Sequence, residues 1–224
     1  MSERWPGEGV ERGFDEDELE EFAGDGNAEI EDADDDEEDD EVEGDDDLPK
    51  LRGPGEHAAG DLDVPSGVNL IEGEPVGGRR GVGIVAARFN GEITNRMLDA
   101  ALEELERAGV ARQAITVMIV PGAFELPLGA MALAKTRRFA CVVALGCVIR
   151  GETAHFDYVA SEAASGLQLA GIETGVPVAF GVLTVENVDQ AEARVGKGAE
   201  AVRTALEMAD AFSQLRASAT ATAP

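Results

Sequence analysis

Residues 139–158, FACVVALGCVIRGETAHFDY, decide the reading of this chain. An unbroken apolar run from Phe139 to Ile149 meets Arg150-Gly151, and Glu152, Thr153 and His155 follow at once. Eleven residues of mostly small and β-branched type, without polar alternation, read as a strand buried on both faces. Gly151 permits a tight turn. Glu152 and Thr153 suit the first turn of a following helix, where unpartnered N–H groups favour oxygen acceptors and negative charge. The carboxyl end of a buried strand running into a helix amino terminus is where α/β proteins bind anions and do chemistry. Of two histidines in the chain, one, His155, sits there.

Outward from this stretch, strands and helices alternate. Toward the amino terminus, GVGIVAARFN (81–90) reads as a buried strand ending in a polar loop. Ile93 to Ala108 has helical spacing and stops at Gly109. Ala114 to Val120 is a strand closed by Pro121-Gly122, and Glu125 to Thr136 a helix of small residues. VNLIEG (68–73) reads as a short edge strand. Toward the carboxyl terminus come an Ala-rich helix to about Thr174, a fourth buried strand (Val176 to Val185), a short helix capped by Asn187, and a long helix from Gly198 to Leu215. Such alternation with short connections predicts an α/β fold, a four-stranded parallel sheet covered on both faces. GVGIVA lacks the third glycine and the ribose-binding acid of the dinucleotide fingerprint, so NAD binding is excluded.

The charge is uneven. The net is −28 over 224 residues, yet the first 50 residues hold 25 acidic against three basic groups, a net of −22. The remainder carries 21 acidic and 15 basic groups, a net of −6. The run EIEDADDDEEDDEVEGDDD (29–47) cannot bury enough apolar surface to offset its ordering entropy. Residues 1–66 therefore read as a disordered acidic extension and linker, 67–216 as the folded domain and 217–224 as a disordered tail. Phe14 to Phe22 is a short amphipathic patch in the extension, and His57 lies in its linker with no ligand-like neighbours. Dense negative charge repels phosphates, so nucleic acid is not expected as a partner. No apolar run reaches the roughly 18 residues of a membrane span, and no basic, apolar leader opens the chain. Cys141 and Cys147, six residues apart on one strand, can neither bridge within it nor set a metal-ligand spacing, and buried thiols suit a reducing compartment. A cytoplasmic protein without a metal is the expectation.

RFN (88–90), VPGAFELP (120–127), LGCVIRGETAHFDYV (145–159), PVAFGVLTVEN (177–187) and Arg194 followed by Lys197-Gly198 together resemble the lumazine synthase family. The resemblance covers about residues 68–215 with the motifs in order. It implies a flavodoxin-like three-layer sandwich, homo-oligomers built on pentamers, and no cofactor. The reaction it implies joins 5-amino-6-ribitylaminouracil to 3,4-dihydroxy-2-butanone 4-phosphate in riboflavin synthesis. Two features depart from the family pattern: the acidic extension, and a shorter stretch between Arg194 and Lys197.

Residue by residue, the resemblance assigns Phe89 to stacking on the pyrimidine ring, an unusual aromatic in an otherwise polar loop. Ala123, Phe124 and Glu125 open a helix after Pro-Gly, and Glu125 resembles the residue gripping ribityl hydroxyls. Cys147, Val148 and Ile149 offer strand-end backbone to the heterocycle. Glu152 and Thr153 belong to the helix-start phosphate cradle. Arg194 supplies a planar bidentate partner for phosphate, with Lys197 nearby. His155 is the proton carrier, imidazole being the side chain that changes charge near neutral pH. Phe180 matches a position lining the pocket from a neighbouring subunit. Without the resemblance, Cys147 to Ile149 read as core, Glu125 as dipole-favoured capping and Arg194 as a surface charge. Two rival readings are a non-catalytic shell protein keeping this fold and a flavin-binding storage module; product formation from the two substrates separates the enzyme from both.

Overall fold

A computed structural model describes residues 62–221, with side-chain surroundings to residue 218. The acidic run, the Phe14 to Phe22 patch and His57 lie outside the described residues. Four strands, β1 (Val82–Ala87), β2 (Ile115–Val120), β3 (Cys141–Ile149) and β4 (Val178–Val185), form one parallel sheet in the order β2-β1-β3-β4. Ile84 lies level with Val117 on one side and Val143 on the other, and Cys147 is level with Leu183. Helices α1 (Gly91–Arg107), α2 (Leu126–Lys135), α3 (His155–Thr174), α4 (Val188–Glu192) and α5 (Lys197–Ala221) complete the domain.

The period-2 rule sorts the strand side chains into two cores. Val82, Ile84, Ala86, Val143, Leu145 and Cys147 pack with Met97 and Leu105 of α1 and Val202 and Leu206 of α5. Val85, Ala87, Val142, Ala144 and Val148 pack with Leu126 and Leu133 of α2 and Ala163 and Leu167 of α3. Both faces of β1 and β3 are thereby covered, which is why their sequences show no alternation. The three-layer, flavodoxin-like sandwich is the expected one.

Several local expectations are corrected. Residues 68–73 form no strand within the chain. They lead into a segment held on α5: the Glu74 N–H donates to Asp210 (3.2 Å), Gln214 Nε2 donates to the Glu72 carbonyl (2.7 Å), and Gly73 lies against the α5 backbone at Glu207. Side chains of α5, rather than a ladder, satisfy this backbone. The edges of the sheet are not fully buried either. Ile119 on β2 is 67% exposed and Phe180 on β4 46%, so the fourth strand is covered less completely than its apolar sequence suggests. The second helix proper begins at Leu126 after a 3₁₀ turn over Ala123–Glu125. The last helix continues past Leu215 to Ala221, since ASATA contains neither Gly nor Pro to stop it.

Candidate active site

β1 leads through α1 to β2 on one side, while β3 and β4 continue on the other. The direction of winding reverses between β1 and β3, and at such a point the loops above neighbouring strands diverge and leave a crevice at the carboxyl ends. A cleft of about 600 Å³ opens there. Phe89 and Asn90 line it from the end of β1, Gly122 to Glu125 from the end of β2, and Cys147 to Ile149 from the end of β3. Thr153, His155, Phe156 and Tyr158 close it from the start of α3.

Each wall has a local cause. Beyond β1 the ladder to β2 persists, with the Arg88 N–H donating to the Val120 carbonyl (2.8 Å) and Phe89 to Pro121 (3.0 Å). The loop backbone is thus rigid while the Phe89 ring stands 71% exposed. An apolar ring held open in this way offers a face on which a flat ring can stack. Asn90 then takes left-handed backbone (φ 55°), which Asn tolerates better than most residues, and its Nδ2 donates to the Cys147 carbonyl (2.8 Å). That bond ties the β1 loop to the end of β3. Gly122 N–H donates to a Glu125 carboxylate oxygen (2.9 Å), fixing the turn that presents Ala123 and Phe124. Ala123 is buried and Phe124 exposed.

Across the cleft, α3 starts after Ala154 without a side-chain cap. Gly151 to His155 are exposed, and the His155 N–H donates to Thr153 Oγ1 (3.4 Å). A second residue outside the sequence reading frames this turn. Arg150 pairs with Glu186 (3.0 Å) and with Asp157 (3.0 Å), and its guanidinium lies 4.1 Å from the centre of the Phe156 ring. The hydrogen bond to Glu186 first, then the Asp157 partner, hold Arg150 more firmly protonated than usual. The Cys147 side chain packs toward α1 and α5, and burial pushes its thiol up to about 11, which leaves it a neutral S–H at physiological pH.

The structure therefore gathers Phe89, Ala123, Phe124, Glu125, Cys147, Val148, Ile149, Thr153 and His155 around one cleft. Glu152 is exposed in the adjoining turn and is not among the lining residues. Phe180 stands midway along edge strand β4, level with Ala144, away from the strand ends. Arg194 follows α4 and donates through Nη1 to the Gln190 carbonyl (2.9 Å), and Lys197 pairs with Glu200 on α5. None of these three lines the cleft of a single chain. Asn90, Phe156 and Tyr158 are lining residues that sequence reasoning left unassigned. A signal existed for Asn90, since a polar residue in the short loop between a buried strand and a helix is placed to bond a neighbouring strand end.

Fold and cleft together define an α/β protein of flavodoxin-like topology with an open crevice at the switch point of the sheet. A family model described as 6,7-dimethyl-8-ribityllumazine synthase matches residues 80–213. The 6,7-dimethyl-8-ribityllumazine synthase of Yersinia pestis (strain Pestoides F) is 50% identical over 155 residues, covering 66% of this chain and 99% of the relative. The protein of the same name from Yersinia pseudotuberculosis serotype O:1b (strain IP 31758) matches with the same figures. The chain belongs to the 6,7-dimethyl-8-ribityllumazine synthase family.

Proposed function

We propose that the cleft performs the penultimate condensation of riboflavin synthesis. 5-Amino-6-ribitylaminouracil and 3,4-dihydroxy-2-butanone 4-phosphate combine to give 6,7-dimethyl-8-ribityllumazine, phosphate and water, so the chain is a transferase acting on small molecules. What carries the reading is one juxtaposition: an exposed aromatic face at Phe89, strand-end backbone at Cys147 to Ile149, and an imidazole and hydroxyl at a helix start, all on one cleft.

In this reading the pyrimidine stacks on Phe89 and takes hydrogen bonds from backbone at 123–124 and 147–149. Glu125 accepts from ribityl hydroxyls, exchanging its bond to Gly122 for them. The phosphate sits against Thr153 and the turn amides, with Glu152 beside it. The primary amine attacks the ketone and loses water as the imine forms. Proton removal next to the imine expels phosphate, and the ribityl-bearing amine closes the second ring with loss of a further water. His155 carries protons between these steps. Two substrates are held in register, and orientation of this kind supplies about 7–11 kcal/mol in favourable systems.

Phe180, Arg194 and Lys197 complete the site from an adjacent subunit. This reading rests on their separation from the cleft within one chain and on the family motifs they occupy. It makes the enzyme a homo-oligomer, a pentamer or a particle built from pentamers. Residues 67–216 form the catalytic domain, and the acidic residues before it take no part in the chemistry. Among the described residues no helix is long and apolar enough to cross a membrane. Two buried free thiols are in keeping with a cytoplasmic location.

The decisive measurement is formation of the lumazine chromophore from the two purified substrates; its absence with soluble, folded protein refutes the assignment. Co-assembly of Phe89→Ala with Arg194→Ala subunits tests the shared site. Interfaces between unlike subunits carry both lesions or neither, so mixed particles regain part of the lost activity. Mixed particles verified by mass and no more active than either parent refute it.

A further inference from the structure

We propose that Arg150 is a positioning residue for the phosphate cradle, clamping both ends of the Gly151 to Ala154 turn so that its amides and the Thr153 hydroxyl converge on the substrate phosphate. The inference rests on the phosphate reading of that turn. The turn has little else to hold it. Gly151, Glu152, Thr153 and Ala154 are all exposed, a Cβ added to Gly151 meets nothing within 4 Å, and α3 lacks a side-chain cap. Its internal bond, His155 N–H to Thr153 Oγ1, is long at 3.4 Å.

Arg150 joins three elements at this point. Its backbone N–H donates to the Val185 carbonyl (2.9 Å), its Nε reaches Glu186 just past β4 (3.0 Å), and its Nη1 reaches Asp157 in the first turn of α3 (3.0 Å). The face of the guanidinium covers Phe156, whose ring lines the cleft. Only a planar fork can meet two carboxylates and a ring at once, so a lysine ammonium is not an equivalent. With both carboxylates engaged, Arg150 has no uncompensated charge to offer a phosphate directly. Exposed ion pairs add little to global stability, so the clamp reveals itself in substrate binding and not in unfolding.

The test compares Arg150→Met, Arg150→Lys and Asp157→Asn in the full chain. Readouts are KM for each substrate, inhibition by inorganic phosphate, and the thermal midpoint. Arg150→Met raises KM for the butanone phosphate and the inhibition constant of inorganic phosphate together, by about ten- to a hundredfold, the range expected when a site is displaced on the ångström scale. KM for the pyrimidine and the thermal midpoint stay near wild type, and Arg150→Lys restores only part of the loss. Asp157→Asn shifts both phosphate readouts in the same direction as Arg150→Met. If Asp157→Asn tightens or leaves phosphate binding unchanged while Arg150→Met weakens it, Arg150 is a direct ligand and the clamp is refuted. Equal loss for both substrates with a lowered midpoint refutes it in favour of a purely structural role. A wild-type enzyme that turns over the butanone phosphate yet is unmoved by every Arg150 substitution refutes the clamp alone. A wild type that neither turns it over nor is inhibited by phosphate refutes the underlying phosphate reading as well.

Discussion

Replacing His155 by alanine tests the proposed proton carrier apart from the binding machinery. The side chain is exposed at the cleft mouth, and the hydrogen bond at this position is made by its backbone N–H to Thr153, which alanine retains. Alanine is also the better helix former at the start of α3. Stability is therefore expected within about 0.5 kcal/mol of wild type. A positioned acid-base group typically contributes 10²- to 10⁴-fold. An exposed imidazole with no side-chain anchor in the free enzyme belongs at the lower end, and solvent replaces part of its role. The expected loss in kcat is roughly ten- to a thousandfold, or about 1.4–4 kcal/mol in the barrier. The assay is steady-state appearance of the lumazine chromophore across pH 5–9, with circular dichroism to verify the fold. Because the deletion opens the cleft mouth to solvent, added imidazole recovers a fraction of the rate. A kcat near wild type at neutral pH refutes the role of His155; a large loss that is matched by unfolding refutes the claim that the residue is catalytic without being structural.

Two further outcomes follow from titration and packing. Cys147 and Cys141, raised by burial to about 11 and about 12 from an ordinary 9.0, hold thiolate fractions near pH 8 roughly a hundred- and a thousandfold below that of a free cysteine. Alkylation by iodoacetamide followed by mass spectrometry is correspondingly slow for Cys147 and slower for Cys141, and Cys147→Ala keeps kcat; labelling of Cys147 at the rate of a small free thiol contradicts the burial argument. The Asp210 carboxyl is held below its usual range by Gln214 first, then by the Glu74 N–H and Arg80. A depressed carboxylate stabilises at pH values above its unfolded range and loses that contribution as the pH falls through its folded value. Acidification below about pH 4 or Asp210→Ala should therefore release the 72–80 segment from α5, read as faster amide exchange at Glu74; unchanged protection in the alanine variant counts against Asp210 as the anchor.

The strands most legible in the sequence were β1 and β3. Both lie in the middle of the sheet between two helical layers, so every side chain of VGIVAA is buried and all but the last of CVVALGCVI, and composition alone announces them. Segment 68–73 has the sequence pattern of a strand without being one, because an apolar stretch near a turn looks the same whether it pairs with a strand or leads onto a helix. The competing partners here were Asp210 and Gln214, some 140 residues away in the chain. Arg150 carries no sequence signal for a similar reason. Its meaning lies in Glu186 and Asp157, and nothing in IRGETAHFD says that a residue at the end of β4 comes within 3.0 Å.

By itself the sequence determined the alternation of strands and helices, the charge asymmetry between the first 50 residues and the rest, and a glycine-containing turn at 150–155 between strand and helix. These depend on local periodicity, on charge density and on glycine placement, all short-range properties of the chain. Only the tertiary structure decided that β1 and β3 are neighbours, and so that Phe89 and His155, 66 positions apart in the sequence, line one cleft. It also left Phe180, Arg194 and Lys197 outside that cleft. Strand order is set by how two helical layers bury their apolar faces against the sheet, a long-range balance that no window of residues contains.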